Sequence, residues 1–169
     1  MINTMSKKIA TTITTLVLGF GTFTAVSDTA TSDEAVPFEF QIKARQAVMT
    51  IYAFNLTALG MMAKGDIPYD AELATNSSNN LLATVNMKNG GMWPVGSDAS
   101  ADGLAGVTAA KPEVWSNYPE VAKHHEELAE AIAEMAAVAG NGLDAVRGAM
   151  SGIGGACKGC HDDFRLSDD

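Results

Sequence analysis

Apolar residues recur every three or four positions along four stretches of this chain, which is the pattern of helices that bury one face. The first stretch runs from Phe38 to about Lys64, with Pro37 suited to the first helical turn and Gly65 suited to ending the helix. One charged residue, Arg45, interrupts its apolar face. The predicted buried stripe is Ile42, Arg45, Met49, Tyr52, Leu56, Leu59 and Ala63.

A second and weaker helical pattern follows Asp70, which is a good N-cap residue. Its apolar positions are Leu73, Leu81, Leu82 and Val85. The run of Asn and Ser at residues 76–80 favours turns over a helix interior and leaves the length of this helix open. Residues 90–112 form a long glycine-rich loop, and the tryptophan in it, Trp93, suggests packing against a large group.

Two more helices complete the predicted architecture. The third spans residues 113–139, with Pro119 separating its first turn, and the fourth spans residues 143–165 after a short Gly-Asn-Gly connection. The stripe of the last helix is Leu143, Val146, Met150, Ile153, Cys157, Cys160 and Phe164. No convincing strand pattern is present, so the sequence predicts an all-α, antiparallel four-helix bundle.

The N-terminus is typical of a cleaved secretory signal. Positive charge at Lys7 and Lys8 precedes a short apolar segment, and small residues allow cleavage after Ser27. We therefore expect a signal peptide over residues 1–27, a bundle domain over residues 28–169 and a periplasmic location. An uncleaved membrane anchor is the alternative.

Charge narrows the range of partners. The whole chain has a formal net charge of −9, and removal of the signal, with its two lysines and no acid, makes it −11. Such an acidic surface argues against nucleic acid and against stable association with an anionic membrane. It permits a basic partner.

The candidate chemistry lies near the C-terminus. Cys157 and Cys160 are the only cysteines, and His161 follows directly, which gives the C-x-x-C-H signature of c-type haem attachment. Each thiol adds to one haem vinyl group, and the histidine supplies an axial ligand to the iron. A thioredoxin-like site, a zinc site and a short disulfide are weaker interpretations, because no βαβ pattern, no second ligand pair and no long loop to close are present.

Glycines crowd the helix that carries this motif, at positions 148, 152, 154 and 155. Glycine in a helix interior costs about 1 kcal/mol relative to alanine. Either close approach of the backbone to a flat macrocycle or close packing of two helices would explain their presence.

These features together resemble the class II cytochromes c, and the cytochrome c′ family in particular. The closing segment Cys157–Arg165 is similar to the family's C-K-x-C-H-x-x-[FY]-R, and Arg45-Gln46 resembles its R-Q pair. Segments 68–70, 93–94 and 111–116 also fall where similar segments occur. The resemblance implies a four-helix bundle with one covalent haem c.

The resemblance also implies roles for individual residues. Cys157 and Cys160 would form the thioethers and His161 would be the proximal iron ligand, with Arg165 near it. Arg45 and Gln46 would lie near the haem propionates.

The other side of the iron decides the function that the resemblance implies. Met49 would line the distal pocket, where it either covers a five-coordinate haem or, as in relatives similar to cytochrome c-556, ligates the iron. The first outcome predicts a protein that binds NO or CO, and the second predicts an electron carrier. Ligation by His124 or His125 is less favoured, since both fall in a charged helix segment.

No general acid or base is convincingly poised over the iron, so we expect no enzymatic turnover. The sequence also allows an interaction with redox partner proteins. A homodimer is expected from the resemblance, through the outer faces of the first two helices.

Overall fold

The computed structural model describes residues 35–167, and the predicted signal over residues 1–27 lies outside them. Five helices follow in chain order: α1 (Glu39–Lys64), α2 (Ala71–Val85), α3 (Glu113–Ser116), α4 (Tyr118–Val138) and α5 (Leu143–Phe164). The four long ones form a ring, in which α1 and α4 each pack against both α2 and α5. The predicted all-α, antiparallel four-helix bundle is confirmed.

Helix α1 begins one residue later than the sequence predicts. Phe38 has a left-handed backbone, with φ of 55°, so the helix begins at Glu39 and Pro37 lies in the preceding turn. The other end agrees with the prediction. Gly65 has φ of 84°, and its N–H donates to the carbonyl of Met62 as a helix-ending residue should.

The buried face of α1 is rotated slightly from the predicted stripe. Its buried residues are Ile42, Arg45, Val48, Asn55, Leu59 and Met62. Tyr52, Leu56 and Ala63 are half-buried along the edge of this face and pack against the core, whereas Met49 is 45% exposed. The buried Asn55 lies on the side of α1 that packs against α2, where Asn80 donates a hydrogen bond of 3.0 Å to its Oδ1.

Helix α2 is continuous through its Asn- and Ser-rich segment. The Asp70 side chain caps it by accepting from the N–H of Leu73 at 2.9 Å. Ser77 and Ser78 are buried, and these small side chains fit positions where a bulkier residue would separate the helices. The segment therefore adapts α2 to its neighbours.

Pro119 separates α3 from α4 as predicted, and lies in the first turn of α4. The tight approach of α4 to α5 uses glycine. A Cβ added to Gly152 would lie 3.4 Å from the Cβ of Ala131 on α4. Close helix–helix packing accounts for this glycine without a macrocycle.

The core fills the space between the four long helices. Its fully buried large residues include Leu59, Met62, Leu81, Val85, Ile132, Met135, Val146 and Ile153. One tyrosine closes the end of the bundle at which α5 begins, opposite the end of α5 that carries the haem motif. The Tyr69 hydroxyl donates to the carbonyl of Ala139 at 2.8 Å and accepts from the N–H of Gly142 at 3.1 Å, which joins the α1–α2 connection to the α4–α5 turn.

Candidate functional site

The C-x-x-C-H motif lies in the last two turns of α5, on the edge of its buried face. Cys157 and Cys160 are half-buried free thiols, and His161 is exposed. Burial raises the pKa of both thiols, so they are protonated at neutral pH. Partial desolvation of the imidazole lowers the pKa of His161, and the charge of Arg165 lowers it further against the opposing effect of Asp162. A lowered pKa favours the neutral imidazole, which is the form that ligates metals.

Helix α1 faces the motif through Tyr52. Burial raises the pKa of the Tyr52 phenol to about 12, and the proximity of Cys157 raises it as well. Met49 and Gln46 precede Tyr52 on the same helix by one and two turns. Met49, which the sequence assigned to the distal pocket, thus lies on the helix whose Tyr52 is close to Cys157, and its distal role stays a prediction.

Arg45 is buried, with 4% of its surface exposed, and its hydrogen-bond partners are in the long loop. The guanidinium donates to the Ser97 hydroxyl (2.7 Å), the Ser97 carbonyl (2.5 Å) and the Thr108 hydroxyl (2.7 Å). It also lies over the ring of Trp93, 4.6 Å from the centroid. Burial lowers its pKa, and the nearby Asp98 charge opposes that effect. A propionate role for Arg45 stays a prediction, and the loop gives its side chain a structural role that the sequence did not indicate.

Gln46 contacts the same loop from an exposed position. Its side-chain amide donates to the carbonyl of Val107 at 2.9 Å. A groove of about 330 Å³ lies between Gln46, residues 106–109 of the loop, and Leu166 and Ser167 after α5. The expected proximity of Gln46 to the haem propionates likewise stays a prediction.

The loop continues to the C-terminal end of α5. Lys111 donates from its ammonium to the carbonyls of Asp162 and Asp163, at 2.9 and 3.2 Å, and from its backbone N–H to the carbonyl of Phe164. The N–H of Leu166 donates to the carbonyl of Ala109 at 2.8 Å. These bonds satisfy carbonyls at the end of the helix that carries the motif, and place a cation where the helix dipole favours it.

Both remaining histidines have protein partners. The two ring nitrogens of His124 lie 3.1 Å from Asp163 Oδ2 and 3.2 Å from Glu127 Oε2. His125 Nε2 lies 3.1 Å from the carbonyl of Val85. Sequence reasoning placed this pair on a charged surface, and the burial of His124 is a feature that it missed.

The donor set fits a covalent haem. Attachment needs two free thiols that reach one porphyrin edge and a neutral nitrogen ligand beside them. Cys157, Cys160 and His161 supply these groups within two turns of one helix. Across residues 35–167, no three His, Cys, Asp or Glu side chains converge as a metal site built from protein ligands alone would need.

Comparison with known proteins gives a consistent match. Residues 40–165 match the family model described as Cytochrome C'. The chain is 37% identical over 147 residues to "Cytochrome c-554" of Cereibacter sphaeroides, covering 87% of this chain and 94% of the relative. It is 33% identical over 132 residues to "Cytochrome c'" of the same species, covering 78% of this chain and 87% of the relative.

Solved structures agree with the sequence matches. The cytochrome c′ from "Rhodobacter Spheriodes" superposes with a TM-score of 0.73 at 32% identity, covering 77% of this chain and 98% of that one. A cytochrome c′ described as having an unusual ligand-controlled dimer dissociation superposes with a TM-score of 0.69 at 28% identity, covering 79% of this chain and 99% of that one. A ferrous variant of cytochrome c prime from Alcaligenes xylosoxidans with bound NO superposes with a TM-score of 0.65 at 26% identity, covering 80% of this chain and 100% of that one. With a family model matched over most of its length and relatives above 30% identity, this chain belongs to the cytochrome c′ family and is a haem c protein.

Proposed function

We propose that this protein binds small neutral gases such as NO and CO at a five-coordinate haem, and that any redox role is electron exchange without enzymatic turnover. A ferrous haem iron with one open position binds such gases. In this proposal Cys157 and Cys160 hold the haem as thioethers and His161 is the single protein ligand. The observation that carries the proposal is the proximity of Tyr52 on α1 to Cys157, together with family membership; Met49 precedes Tyr52 by one turn on the same helix.

The chain's own residues would perform three tasks in this function. His161 supplies a nitrogen ligand whose neutral form is favoured, since partial desolvation and the charge of Arg165 lower its pKa. Tyr52 and Met49 provide an apolar wall on α1, which excludes water and disfavours charged ligands. The half-exposed Met49 side chain is not part of the bundle core, so it is available to line a pocket.

Absorption spectra of the purified ferric and ferrous protein test this proposal. We expect broad high-spin bands and a clear change when CO is added. Sharp, split α and β bands that CO does not change would contradict it, and would support the alternative of an electron carrier in which Met49 ligates the iron.

The position of Met49 predicts the effect of its replacement. Met49→Ala should open the pocket and raise the CO association rate, because a smaller side chain leaves more room over the iron. Met61→Ala is the matched control, since Met61 is 37% exposed on the same helix but farther from the motif. Equal CO association rates in the two variants would remove Met49 from the distal site.

The attachment residues are tested by haem retention. In Cys157→Ser, Cys160→Ser double variants, acidified acetone should extract the haem, whereas the parent chain should keep it bound. Haem that remains attached to the double variant would contradict the thioether assignment.

His161→Gly should keep the haem covalently bound but change the spin state and bind added imidazole. An unchanged spectrum would contradict ligation by His161.

We further propose a homodimer formed through the outer face of α1. This face presents a stripe of apolar side chains: Phe40, Ala47, Ile51, Phe54 and Met61. Phe40 and Phe54 are 82% and 76% exposed, and a contiguous apolar stripe of this kind typically marks an interface.

Among described helices, α1 alone is long and apolar enough to cross a membrane, and one such helix is weak evidence for insertion.

Sedimentation measures the dimer directly. Phe54→Glu should give a monomer, because a charge in an apolar interface is costly to bury. Val95→Glu is the control, since Val95 is equally exposed in the loop, away from this stripe. A monomeric parent protein, or a Phe54→Glu variant that remains dimeric, would contradict the proposal.

We propose a periplasmic location for the mature chain over residues 28–169. N-terminal sequencing of the protein recovered from the periplasmic fraction should begin at Asp28. Recovery in the cytoplasmic or membrane fraction would contradict it.

A further inference from the structure

Helix α4 contacts the haem-binding turn of α5 through one buried histidine. His124 is 9% exposed, and its Nε2 lies 3.1 Å from Asp163 Oδ2. Its Nδ1 lies 3.2 Å from Glu127 Oε2 on its own helix. The ring also meets Phe164 edge-on, with centroids 6.0 Å apart. Two polar contacts and one edge-on ring contact therefore restrict the orientation of this ring.

The ring occupies the place of a side chain at Gly159. A Cβ added there would lie 3.1 Å from Cε1 of His124 and 3.4 Å from Nδ1. Because both ring nitrogens are held, the ring cannot withdraw without losing one of its hydrogen bonds. An alanine at Gly159, directly before Cys160, would therefore press on the His124 ring, which would have to move by a few tenths of an ångström to admit it.

Two of the α5 contacts of His124 lie on either side of the ligand. Gly159 directly precedes Cys160, and Asp163 follows His161 by two residues. A contact before and a contact after the Cys160-His161 pair restrict both translation and rotation of this turn against α4. We propose that His124 is a positioning residue for the haem ligand, which sets the orientation of His161 without touching the haem.

This inference rests on the proposed role of His161 as the iron ligand. It requires no change in the protonation of His124. It predicts effects on the bond between iron and histidine, whereas ordinary packing of α4 on α5 would affect stability alone.

The first experiment is a double-mutant cycle on the haem-loaded protein. The readouts are the iron–histidine stretching band in resonance Raman spectra, the midpoint reduction potential and Tm. We expect Gly159→Ala and His124→Ala each to shift the band and the potential. The double variant should resemble His124→Ala, because removal of the ring leaves nothing for the new Cβ to displace.

Gly148→Ala is the matched control for the glycine replacement. Gly148 lies in the same helix with nothing within 4 Å of an added Cβ. Alanine should raise Tm there by about 3 °C through helix propensity and leave the band unchanged. If Gly159→Ala behaves in the same way, the contact with His124 does not constrain the turn and the inference is wrong.

A conservative variant separates positioning from packing. In His124→Gln, the side-chain amide can place a donor near Asp163, so the band should return towards its parent position. If His124→Ala lowers Tm but leaves the band and the potential unchanged, His124 is a packing residue only. A parent spectrum without an iron–histidine band contradicts the proposed function itself and the positioning role with it. A parent band that His124→Ala does not move contradicts this inference alone.

Discussion

Arg45→Met should separate the long loop from α1. The change removes the three hydrogen bonds that the guanidinium donates to Ser97 and Thr108, and its contact with the face of Trp93. Methionine retains much of the apolar stem, so the loss concerns the charged head. Ser97 is fully buried, so its oxygens would lose their partner without gaining contact with water.

The cost follows from these contacts. A hydrogen bond from a charged donor contributes about 1.5–3 kcal/mol, and a cation–π contact of this kind contributes about 1 kcal/mol. These contributions are not additive, and methionine removes the cost of burying a guanidinium. We therefore expect a loss of about 3 kcal/mol in the free energy of unfolding, which is large for a domain whose total stability is about 5–15 kcal/mol.

Urea unfolding of parent and variant measures this loss, and limited proteolysis locates it. Cleavage of the variant should begin within residues 93–111. Arg147→Met is the matched control, because Arg147 is half-exposed and bonds mainly to the carbonyl of Ala63, at 2.8 Å. We expect the control to lose at most about 1 kcal/mol. Equal losses in the two variants, or proteolysis outside the loop, would refute the reasoning.

Three further predictions concern other groups. Hydrogen bonds from Ser100 lower the pKa of Asp98 below its ordinary 3.8. The ionised carboxylate therefore contributes fully to the free energy of unfolding above its unfolded-state pKa, and this contribution disappears as the pH falls through its folded-state pKa. Between about pH 6 and pH 3, unfolding free energy should therefore fall more in the parent than in Asp98→Asn; equal slopes would contradict this. Tyr69→Phe should lose about 1–2 kcal/mol in urea unfolding, whereas the exposed Tyr118→Phe should lose almost nothing. In the haem-free chain, Tyr52→Phe should leave the 295 nm titration below about pH 11 unchanged, because the Tyr52 pKa is about 12.

Local chemistry explains why the helix ends and the bundle were predictable from sequence. Asp70 caps α2, Gly65 ends α1 and Pro119 divides α3 from α4, and each of these effects depends on neighbours within four residues. The apolar stripe on α5 includes Cys157 and Cys160, and both are half-buried at the edge of the face that packs in the bundle. These features need no knowledge of distant contacts.

The partners of Arg45 and His124 were not predictable for the opposite reason. Arg45 bonds to residues 52 and 63 positions away, in a loop without periodicity, and His124 bonds to Asp163 at a separation of 39. The sequence did mark Arg45 as unusual, as a charge on an apolar face. It could not distinguish a loop hydroxyl from a carboxylate as the partner.

The loop over residues 93–111 has a consequence for the site as a whole. One part of it is held to α1 by Arg45 and Gln46, and its end is held to the last turn of α5 by Lys111. These are the helix that carries Met49 and the helix that carries His161. Because the loop is hydrogen-bonded to both helices, we expect a change in the loop to act on α1 and α5 together. If Met49 and His161 face each other across the iron, as the proposed function has it, such a change should also alter gas binding.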